Sequence, residues 1–315
     1  MPLPSLNPMW NAAMRPLLLL ALGSWLAAGL SSCRRERVLG PPRAVPVAAD
    51  GALDLKLVTF NLRYENGEDL GPRAWSRRIP HIVRMIREEA PDVLGIQEAR
   101  HGQAADLWAS LPDYEFFGSA REDGARGGEY TAILHRRDRF EPDLRDAGTF
   151  WLSDTPEIPG SATWGNEIPR TVTWLRLTDR STQRPFYVFN THWDHRNQPS
   201  RLRSAELLAA RVKRRSSPGD PVILLGDFNA LPHNPAIQTL VSRAGLTDTL
   251  QSLHPEQKEI PTLHLWRGLA VNRPINVDHI FIAGGPAEIL AASIRHHDQP
   301  LLSDHFPVTA RVSFK

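Results

Sequence analysis

The sequence has little cysteine and almost no excess charge of either sign. A single Cys among 315 residues excludes an intramolecular disulfide framework, so the hydrophobic core must stabilise the fold. The 37 Lys and Arg residues nearly balance the 35 Asp and Glu residues, which leaves a formal charge of +2. A dedicated nucleic-acid binder usually shows a concentrated basic stripe. We interpret the densest basic segment, 201–215, as a solvated helix face.

Long apolar runs are also scarce, and the most extended one lies near the N-terminus. Residues 16–30 follow Arg15 and lead into Leu-Ser-Ser-Cys, which ends at Cys33. The run is shorter than the roughly 20 residues of a membrane-spanning helix, and its flanks predict a secretory signal over residues 1–32. The four residues resemble a bacterial lipobox. We therefore expect an exported lipoprotein, anchored through lipidated Cys33 on the periplasmic or outer side of a bacterial membrane; an ordinary cleaved signal and an uncleaved anchor are the alternatives.

The rest of the chain divides into a short linker and one globular region. Residues 33–52 are rich in Pro, Ala and Arg without apolar periodicity, which predicts a flexible tether. Residues 53–315 mix strand and helix patterns, which favours mixed sheets covered by helices in one compact domain. The patterns predict strands over 53–61, 92–98, 130–135, 171–177, 185–190, 222–225, 277–282 and 308–314, and helices over 75–89, 200–213 and 234–243.

Carboxylates, amides and imidazoles recur at the ends of these strands. Asn61, Glu98, His192 and Asp227 each follow an apolar strand, and the pair 304–305 precedes the last one. Burying uncompensated charges costs several kcal/mol each, and folds tolerate the cost when the groups converge on a cation. Several carboxylate and amide oxygens without sulfur suit Mg²⁺ or Mn²⁺. Taken singly, each of these residues also has an ordinary alternative role as a helix cap, a turn residue or a core histidine.

Five short segments share a family resemblance. Their order resembles that of the endonuclease/exonuclease/phosphatase superfamily over about residues 53–315, which would make this region the catalytic domain. The segments are Thr59-Phe60-Asn61, Gly95-Ile96-Gln97-Glu98, Asn190-Thr191-His192, Gly226-Asp227-Phe228-Asn229 and Ser303-Asp304-His305. The resemblance implies an α+β fold, a four-layer αββα sandwich in which two mixed β-sheets pack face to face with helices outside. Residues 148–161 resemble a secreted bacterial subgroup.

The resemblance also implies a metal site and an activated water. Glu98 looks like the main metal ligand, with Asp304 beside it and Asn61 near the metal or its water. Asp227 is similar to the residue that orients and deprotonates the attacking water. Asn229 would hold that water or a phosphate oxygen. The expected cofactor is Mg²⁺ or Mn²⁺.

Two imidazoles complete the implied catalytic set. His305, paired with Asp278, and His192, backed by Glu129, would donate to the non-bridging phosphate oxygens. A carboxylate behind each imidazole favours its cationic form. Arg63 stands where many abasic endonucleases carry an acid, so it either contacts substrate phosphate or covers the sheet end. The candidates for substrate binding are Arg63, Glu129, Tyr130, Trp164, Arg170, Asp194 and His195.

These observations predict a divalent-metal-dependent hydrolase of phosphate esters that works by in-line water attack. The pattern leaves open a phosphodiesterase, a phosphatase or a nuclease, acting on a small diester, a sugar phosphate, a lipid head group or nucleic acid. A monomer is expected. Two alternatives belong to other classes: a non-catalytic surface binding protein on the same scaffold, and a zinc hydrolase that uses His192, His195 and His305.

Overall fold

The computed structural model describes residues 51–257, 260–296 and 300–315. The expected signal 1–32, the lipidation site Cys33 and all but the last two residues of the tether 33–52 lie outside the described residues. No helix in the described part of the chain is both long enough and apolar enough to cross a membrane.

The described residues form five α-helices, one short 3₁₀ turn and twelve strands. The helices are α1 (Trp75–Glu89), α2 (His101–Ser110), α3 (Gln198–Lys213), α4 (Pro235–Ala244) and α5 (Thr249–Leu253), and the 3₁₀ turn is Gly71–Arg73. The strands are β1 (Leu53–Asn61), β2 (Val93–Arg100), β3 (Tyr114–Phe117), β4 (Glu129–Arg136), β5 (Phe140–Trp151), β6 (Thr171–Asp179), β7 (Pro185–His192), β8 (Val222–Asp227), β9 (Thr247–Asp248), β10 (Asp278–Ala283), β11 (Ala287–Ile294) and β12 (Val308–Phe314).

The strands form two mixed sheets of six strands each. The first sheet has the order β11-β12-β1-β2-β4-β3, and the second has the order β5-β6-β7-β8-β10-β9. Each sheet is antiparallel except at one central pair, β1 with β2 and β7 with β8. A crossover helix joins each parallel pair, α1 in the first sheet and α3 in the second. The carboxyl ends of the two strands in each pair therefore meet at one edge of their sheet.

Three apolar layers hold the sheets and helices together. Leu57 and Val188 belong to the cluster between the sheets, whereas Val58, next to Leu57 in β1, belongs to the cluster under α1 and α2. Phe189 packs in a third cluster under α3 and α4. Successive residues of a strand point to opposite faces, so both faces of each sheet are buried. The four-layer αββα sandwich expected from the resemblance is confirmed.

A buried polar network joins the two sheets at the carboxyl ends of their central strands. The Asn190 side chain in β7 donates to the carbonyl oxygens of Ile96 (2.9 Å) and Ala132 (2.7 Å) in the facing sheet. Gln97 Nε2 donates in turn to Asn190 Oδ1 (2.7 Å) and Thr59 Oγ1 (3.1 Å). Buried polar groups that satisfy one another specify a single packing of the surrounding core. This network therefore fixes the sheets against each other directly beneath the strand ends.

Four strands fall outside the sequence prediction. The strands β3, β5, β9 and β11 are the edge strands of the two sheets. In β5, Pro142 and a register shift between Asp143 and Ala147 interrupt the alternating pattern, and such residues are tolerated on an edge strand because one side of it has no partner. Edge strands carry weaker periodicity than the central ones, which explains why the sequence does not reveal them.

Candidate active site

A bulge in β2 turns Glu98 toward the carboxyl edge of the sheet. Register with β4 shifts between Ile96 and Ala99, so Gln97 and Glu98 oppose a single partner residue. Glu98 adopts φ +65, a conformation that non-glycine residues rarely take. Bulges of this kind re-aim side chains at functional sites, and strained backbone of this kind clusters at such sites.

Asn61 connects the two sheets at the site. Its Nδ2 donates to Glu98 Oε1 (2.8 Å) and to Asp227 Oδ2 (2.9 Å), while its Oδ1 accepts from the backbone N–H of Arg63 (2.9 Å). The backbone N–H of Tyr64 donates to the other Glu98 oxygen at 3.2 Å. Asn61 thus presents N–H groups to both carboxylates. Asn61 therefore orients both acids, and its expected place near the metal or its water stays a prediction.

The turn after β8 sets the position of Asp227. Gly226 has φ +149, and a Cβ there would lie 2.1 Å from the carbonyl oxygen of Thr191, so only glycine permits this approach of β7 and β8. Asn229 has φ +46, and its backbone N–H donates to Asp227 Oδ1 at 2.9 Å. Its side-chain amide donates to the carbonyl of Trp193 at 3.0 Å. Both oxygens of Asp227 are therefore held by amide N–H groups.

His305 forms a buried pair with Asp278, as the sequence predicts. The distance from Nδ1 to Asp278 Oδ2 is 2.9 Å, and Nε2 lies 3.9 Å from Asp227 Oδ2. Burial alone lowers the pKa of His305, but the carboxylates of Asp278, Asp227 and Asp304 outweigh it and raise that pKa well above the ordinary value. These carboxylates favour the imidazolium form of His305, and its Nε2 faces the site.

His192 differs from the expectation in its charge. Its Nε2 lies 3.6 Å from Asp227 Oδ2, and its Nδ1 lies 3.9 Å from Glu129 Oε2. Glu129 instead forms a two-pronged ion pair with Arg121, at 2.6 and 2.8 Å, so little of its charge acts on the imidazole. Burial, followed by the nearby guanidinium of Arg170, lowers the pKa of His192 well below its ordinary value. These surroundings favour the neutral form of His192, whereas the sequence led us to expect an imidazolium.

The acids of the site repel one another. Burial and then Asp278 raise the pKa of Asp227 to about 7, and burial and then Glu98 raise the pKa of Glu129 to about 7. The pKa of Asp304 is raised by burial and by Glu98. Carboxylates crowded in a low-dielectric site need protons or a cation to offset their charge. The donor set of carboxylate oxygens without sulfur therefore fits a hard divalent ion.

Several side chains of the site are candidate ligands for such an ion. Within the described residues, the ligand atoms of Glu98, Asp227 and His305 lie within 4.8 Å of one another. Asp304, which the sequence proposes as a ligand beside Glu98, lines the same cleft. The alternative of three imidazoles around zinc is not formed, because His195 Nδ1 lies 3.0 Å from an Arg170 nitrogen and this group of ligand atoms holds one imidazole.

These groups line a cleft of about 640 Å³. Of the residues that the sequence proposes for substrate binding, Arg63, Glu129, Arg170 and His195 line it. Arg170 is 3% exposed, and its Nε and Nη1 have no hydrogen-bond partner. The sequence did not single out the remaining lining residues, which are Tyr64, Arg100, Arg121, Ile168, Arg196, Leu263 and Leu265.

Three of the residues proposed for substrate binding lie outside the cleft lining. Tyr130 follows Glu129 in β4 and so points to the opposite face, where its ring packs edge-on against Phe116 and its hydroxyl donates to the Ala125 carbonyl. The Trp164 indole N–H donates to an exposed aspartate at 2.8 Å. Asp194 accepts two backbone N–H groups of the turn that follows it. None of the three is among the residues that line the cleft, and their role in substrate binding stays a prediction.

Comparison with known proteins identifies the class to which this site belongs. The model of the Endonuclease/Exonuclease/phosphatase family matches residues 58–305. The chain therefore belongs to that family, whose members are hydrolases acting on phosphate esters. A search among curated proteins finds no significant match.

Several solved structures share the fold. An endonuclease/exonuclease/phosphatase from Bacteroides vulgatus is 29% identical, with a TM-score of 0.77 over 84% of this chain and 100% of that one. The Bacteroides thetaiotaomicron mannosyl-6-phosphatase Bt3783 is 29% identical, with a TM-score of 0.74 over 82% and 100%. The human Nocturnin catalytic domain, 18% identical with a TM-score of 0.66 over 83% and 94%, shares the fold alone.

Proposed function

We propose that this chain is a Mg²⁺- or Mn²⁺-dependent hydrolase that cleaves phosphate esters by in-line attack of water, without a covalent enzyme intermediate. The observation that carries the proposal is the convergence on one cleft of Asp227, the imidazolium of His305 and the acid pair Glu98 and Asp304. A bound divalent ion would polarise a phosphoryl oxygen and offset the charge on the leaving oxygen.

The residues around Asp227 support its role as the general base. Amide N–H groups of Asn61 and Asn229 hold its two oxygens, so the carboxylate is oriented before substrate binds. Burial raises the pKa of Asp227 to about 7, which suits a base that accepts a proton near neutral pH. Asp227 would take the proton from the attacking water while Asn229 holds that water or a phosphate oxygen.

Negative charge develops on the phosphoryl oxygens during the attack, and donors of the site would stabilise it. The Nε2–H of His305, kept charged by Asp278, would donate to a non-bridging oxygen as negative charge accumulates there. Neutral His192 would donate a second hydrogen bond. Arg170, whose buried Nε and Nη1 lack a partner, supplies positive charge beside them.

The first substrate class to test is a sugar phosphate. The mannosyl-6-phosphatase from Bacteroides thetaiotaomicron, 29% identical to this chain, supports that choice. A formal charge of +2 argues against a long polyanion, because a nuclease that grips a duplex neutralises several phosphates. A small diester or a lipid head group remains a second candidate, since the cleft of about 640 Å³ admits either.

A substrate panel tests this function. The purified full chain is assayed on mannose 6-phosphate, p-nitrophenyl phosphate, bis-p-nitrophenyl phosphate and plasmid DNA, with Mg²⁺, Mn²⁺ or EDTA. We expect metal-dependent hydrolysis that Asp227→Ala abolishes and that the exposed control Asp113→Ala retains. Turnover that survives EDTA, or that Asp227→Ala leaves unchanged, would contradict the proposal. Absence of turnover on all substrates would favour the non-catalytic binding protein.

We also propose that the protein is exported and anchored by lipid at Cys33. The proposal depends on the basic residue, the apolar run and the Leu-Ser-Ser-Cys segment of the sequence. Cys33→Ser should move the protein from the membrane fraction to the soluble fraction when the chain is expressed in a bacterium. Membrane association that persists in Cys33→Ser would remove the lipoprotein interpretation and favour an uncleaved anchor.

A further inference from the structure

Arg78 is a buried arginine that has no carboxylate at hydrogen-bond distance among the described residues. It lies in the first turn of α1 and is 1% exposed. Its guanidinium donates to four backbone carbonyls: Arg73 from Nε (2.7 Å), Leu62 and Leu302 from Nη1 (2.6 and 2.9 Å), and Arg63 from Nη2 (3.1 Å). Burying a charge in this way is costly, and a hydrophobic side chain would fill the same space without that cost. The cost indicates that the four contacts themselves have a role.

Two of the four carbonyls belong to the segment that follows Asn61. The N–H groups of the same two residues face the site: Leu62 donates to the Gln97 carbonyl at 3.0 Å, and Arg63 donates to Asn61 Oδ1 at 2.9 Å. The guanidinium of Arg78 therefore binds the carbonyl groups of this segment, and the N–H groups of the segment bond to residues of the site. Because Asn61 bonds Glu98, the guanidinium restrains the Glu98 carboxylate through Asn61.

A third carbonyl belongs to the segment that carries Asp304. Leu302 lies two residues before this acid, and the Arg78 guanidinium donates a hydrogen bond to its carbonyl. The ring of Trp266 lies 5.4 Å from the same guanidinium. Leu265, next to Trp266, donates its backbone N–H to the Asp304 carbonyl at 3.1 Å. The Arg78 side chain thus contacts both the segment that follows Asn61 and the segment that carries Asp304.

We propose that Arg78 is a positioning residue that sets the separation of Glu98 and Asp304 for a divalent cation. The proposal rests on the proposed metal-dependent function. The planar guanidinium offers five N–H donors in fixed directions, whereas an ammonium is a point charge. Lysine at this position would keep the charge, but its three donors diverge from one nitrogen and could not reproduce the four bonds.

Mn²⁺ titration of EDTA-treated full chain by calorimetry, without substrate, tests the proposal. Arg78→Lys should weaken Mn²⁺ binding by about 10- to 100-fold, the usual loss when a residue that orients metal ligands is changed. Activity lost at low Mn²⁺ should be regained at high Mn²⁺, because the catalytic groups themselves remain. The matched control is Arg139→Lys, which removes a similar largely buried fork of hydrogen bonds to Asp92, Asp179 and a backbone carbonyl away from the cleft. It should lower the melting temperature and leave Mn²⁺ affinity unchanged.

The outcomes separate this proposal from the function on which it rests. If wild-type protein binds no Mn²⁺, the proposed function fails. If wild type binds Mn²⁺ and Arg78→Lys binds it within twofold as tightly, the positioning role is refuted and the function stands. If Arg78→Lys does not fold, Trp266→Leu decides, because it keeps Arg78 and removes the ring that lies beside the guanidinium groups of Arg78 and Arg73. That variant should weaken Mn²⁺ binding severalfold, and unchanged affinity in it would overturn the role.

Discussion

Replacing Asn190 by leucine should destabilise the domain and loosen the metal site together. The side chain is fully buried and makes three hydrogen bonds, to two carbonyls of the facing sheet and to Gln97. Leucine has a similar size but no polar atoms, so these three bonds are lost with little change in volume. A net contribution of about 0.5–1.5 kcal/mol per bond, with more where a buried carbonyl is left unpaired, gives a loss of about 3–5 kcal/mol.

Urea unfolding measures this loss. The midpoint should fall while the slope of the free energy of unfolding against urea stays constant, since the surface exposed on unfolding is unchanged. The control is Thr191→Val, an equally buried neighbour that loses a single hydrogen bond, to the Thr171 carbonyl, and should cost about 1 kcal/mol. Asn190→Leu should also weaken Mn²⁺ binding, because Gln97 forms the bulge that directs Glu98. A loss below about 1 kcal/mol would refute the view that this network joins the sheets.

Three further predictions concern the site and the core. Gly226→Ala should cost at least about 3 kcal/mol and abolish activity, because its Cβ would lie 2.1 Å from a backbone oxygen of β7. Both ring nitrogens of His279 are hydrogen-bonded, one to Asp248 and the other to a backbone carbonyl. Burial lowers the pKa of His279, but these bonds and nearby Asp278 outweigh it and raise that pKa. Its contribution to stability should be full below about pH 6.5 and be lost as pH rises through the higher folded-state pKa. Arg170→Gln should lower kcat/KM by about 100-fold, as expected for removal of one donor to a developing oxyanion.

Each of these predictions has a control. Gly102→Ala, where an added Cβ meets nothing within 4 Å, should leave stability unchanged or raise it by up to about 1 kcal/mol; a loss as large as that of Gly226→Ala would contradict the steric argument. The free energy of unfolding of His279→Leu should approach that of wild type as pH rises, and a constant difference would exclude the linkage. Arg176→Gln, which breaks an ion pair with Asp220, should retain full kcat/KM; unchanged kcat/KM in Arg170→Gln would remove its role.

Sequence reasoning located the acids of the site because they end strongly apolar strands. Glu98 and Asp227 lie near or at the carboxyl ends of β2 and β8, central strands of their sheets, where the hydrophobic pattern is strongest. Strand-end positions of this kind meet at one edge when strands are parallel. The stacking of two sheets into four layers came from the family resemblance, since no local pattern specifies which faces of two sheets meet. The edge strands β5 and β11 were missed because an edge has weaker constraints on sequence.

Other features of the site depend on contacts distant in sequence. The pKa of His192 is lowered by burial and by Arg170 and Arg121, neither of which adjoins it in the chain, so the sequence around His192 does not show that its surroundings favour the neutral ring. The bulge at Glu98 is a backbone irregularity without a residue signature. The placement of Tyr130, in contrast, follows from the sequence. It comes directly after Glu129 in one strand, and alternation places the two side chains on opposite faces. The sequence alone therefore shows that only one of the two can face the cleft.

A crystal structure of the full chain with Mn²⁺ would locate the ion by its anomalous scattering. We expect one strong peak in the cleft, with carboxylate oxygens of Glu98 and Asp304 in its coordination sphere and His305 outside it. The Asp304→Asn variant should lose that peak at the same Mn²⁺ concentration. A peak elsewhere on the molecule, or an ion bound by the ring of His305, would contradict the assignment of the acid pair as the metal site.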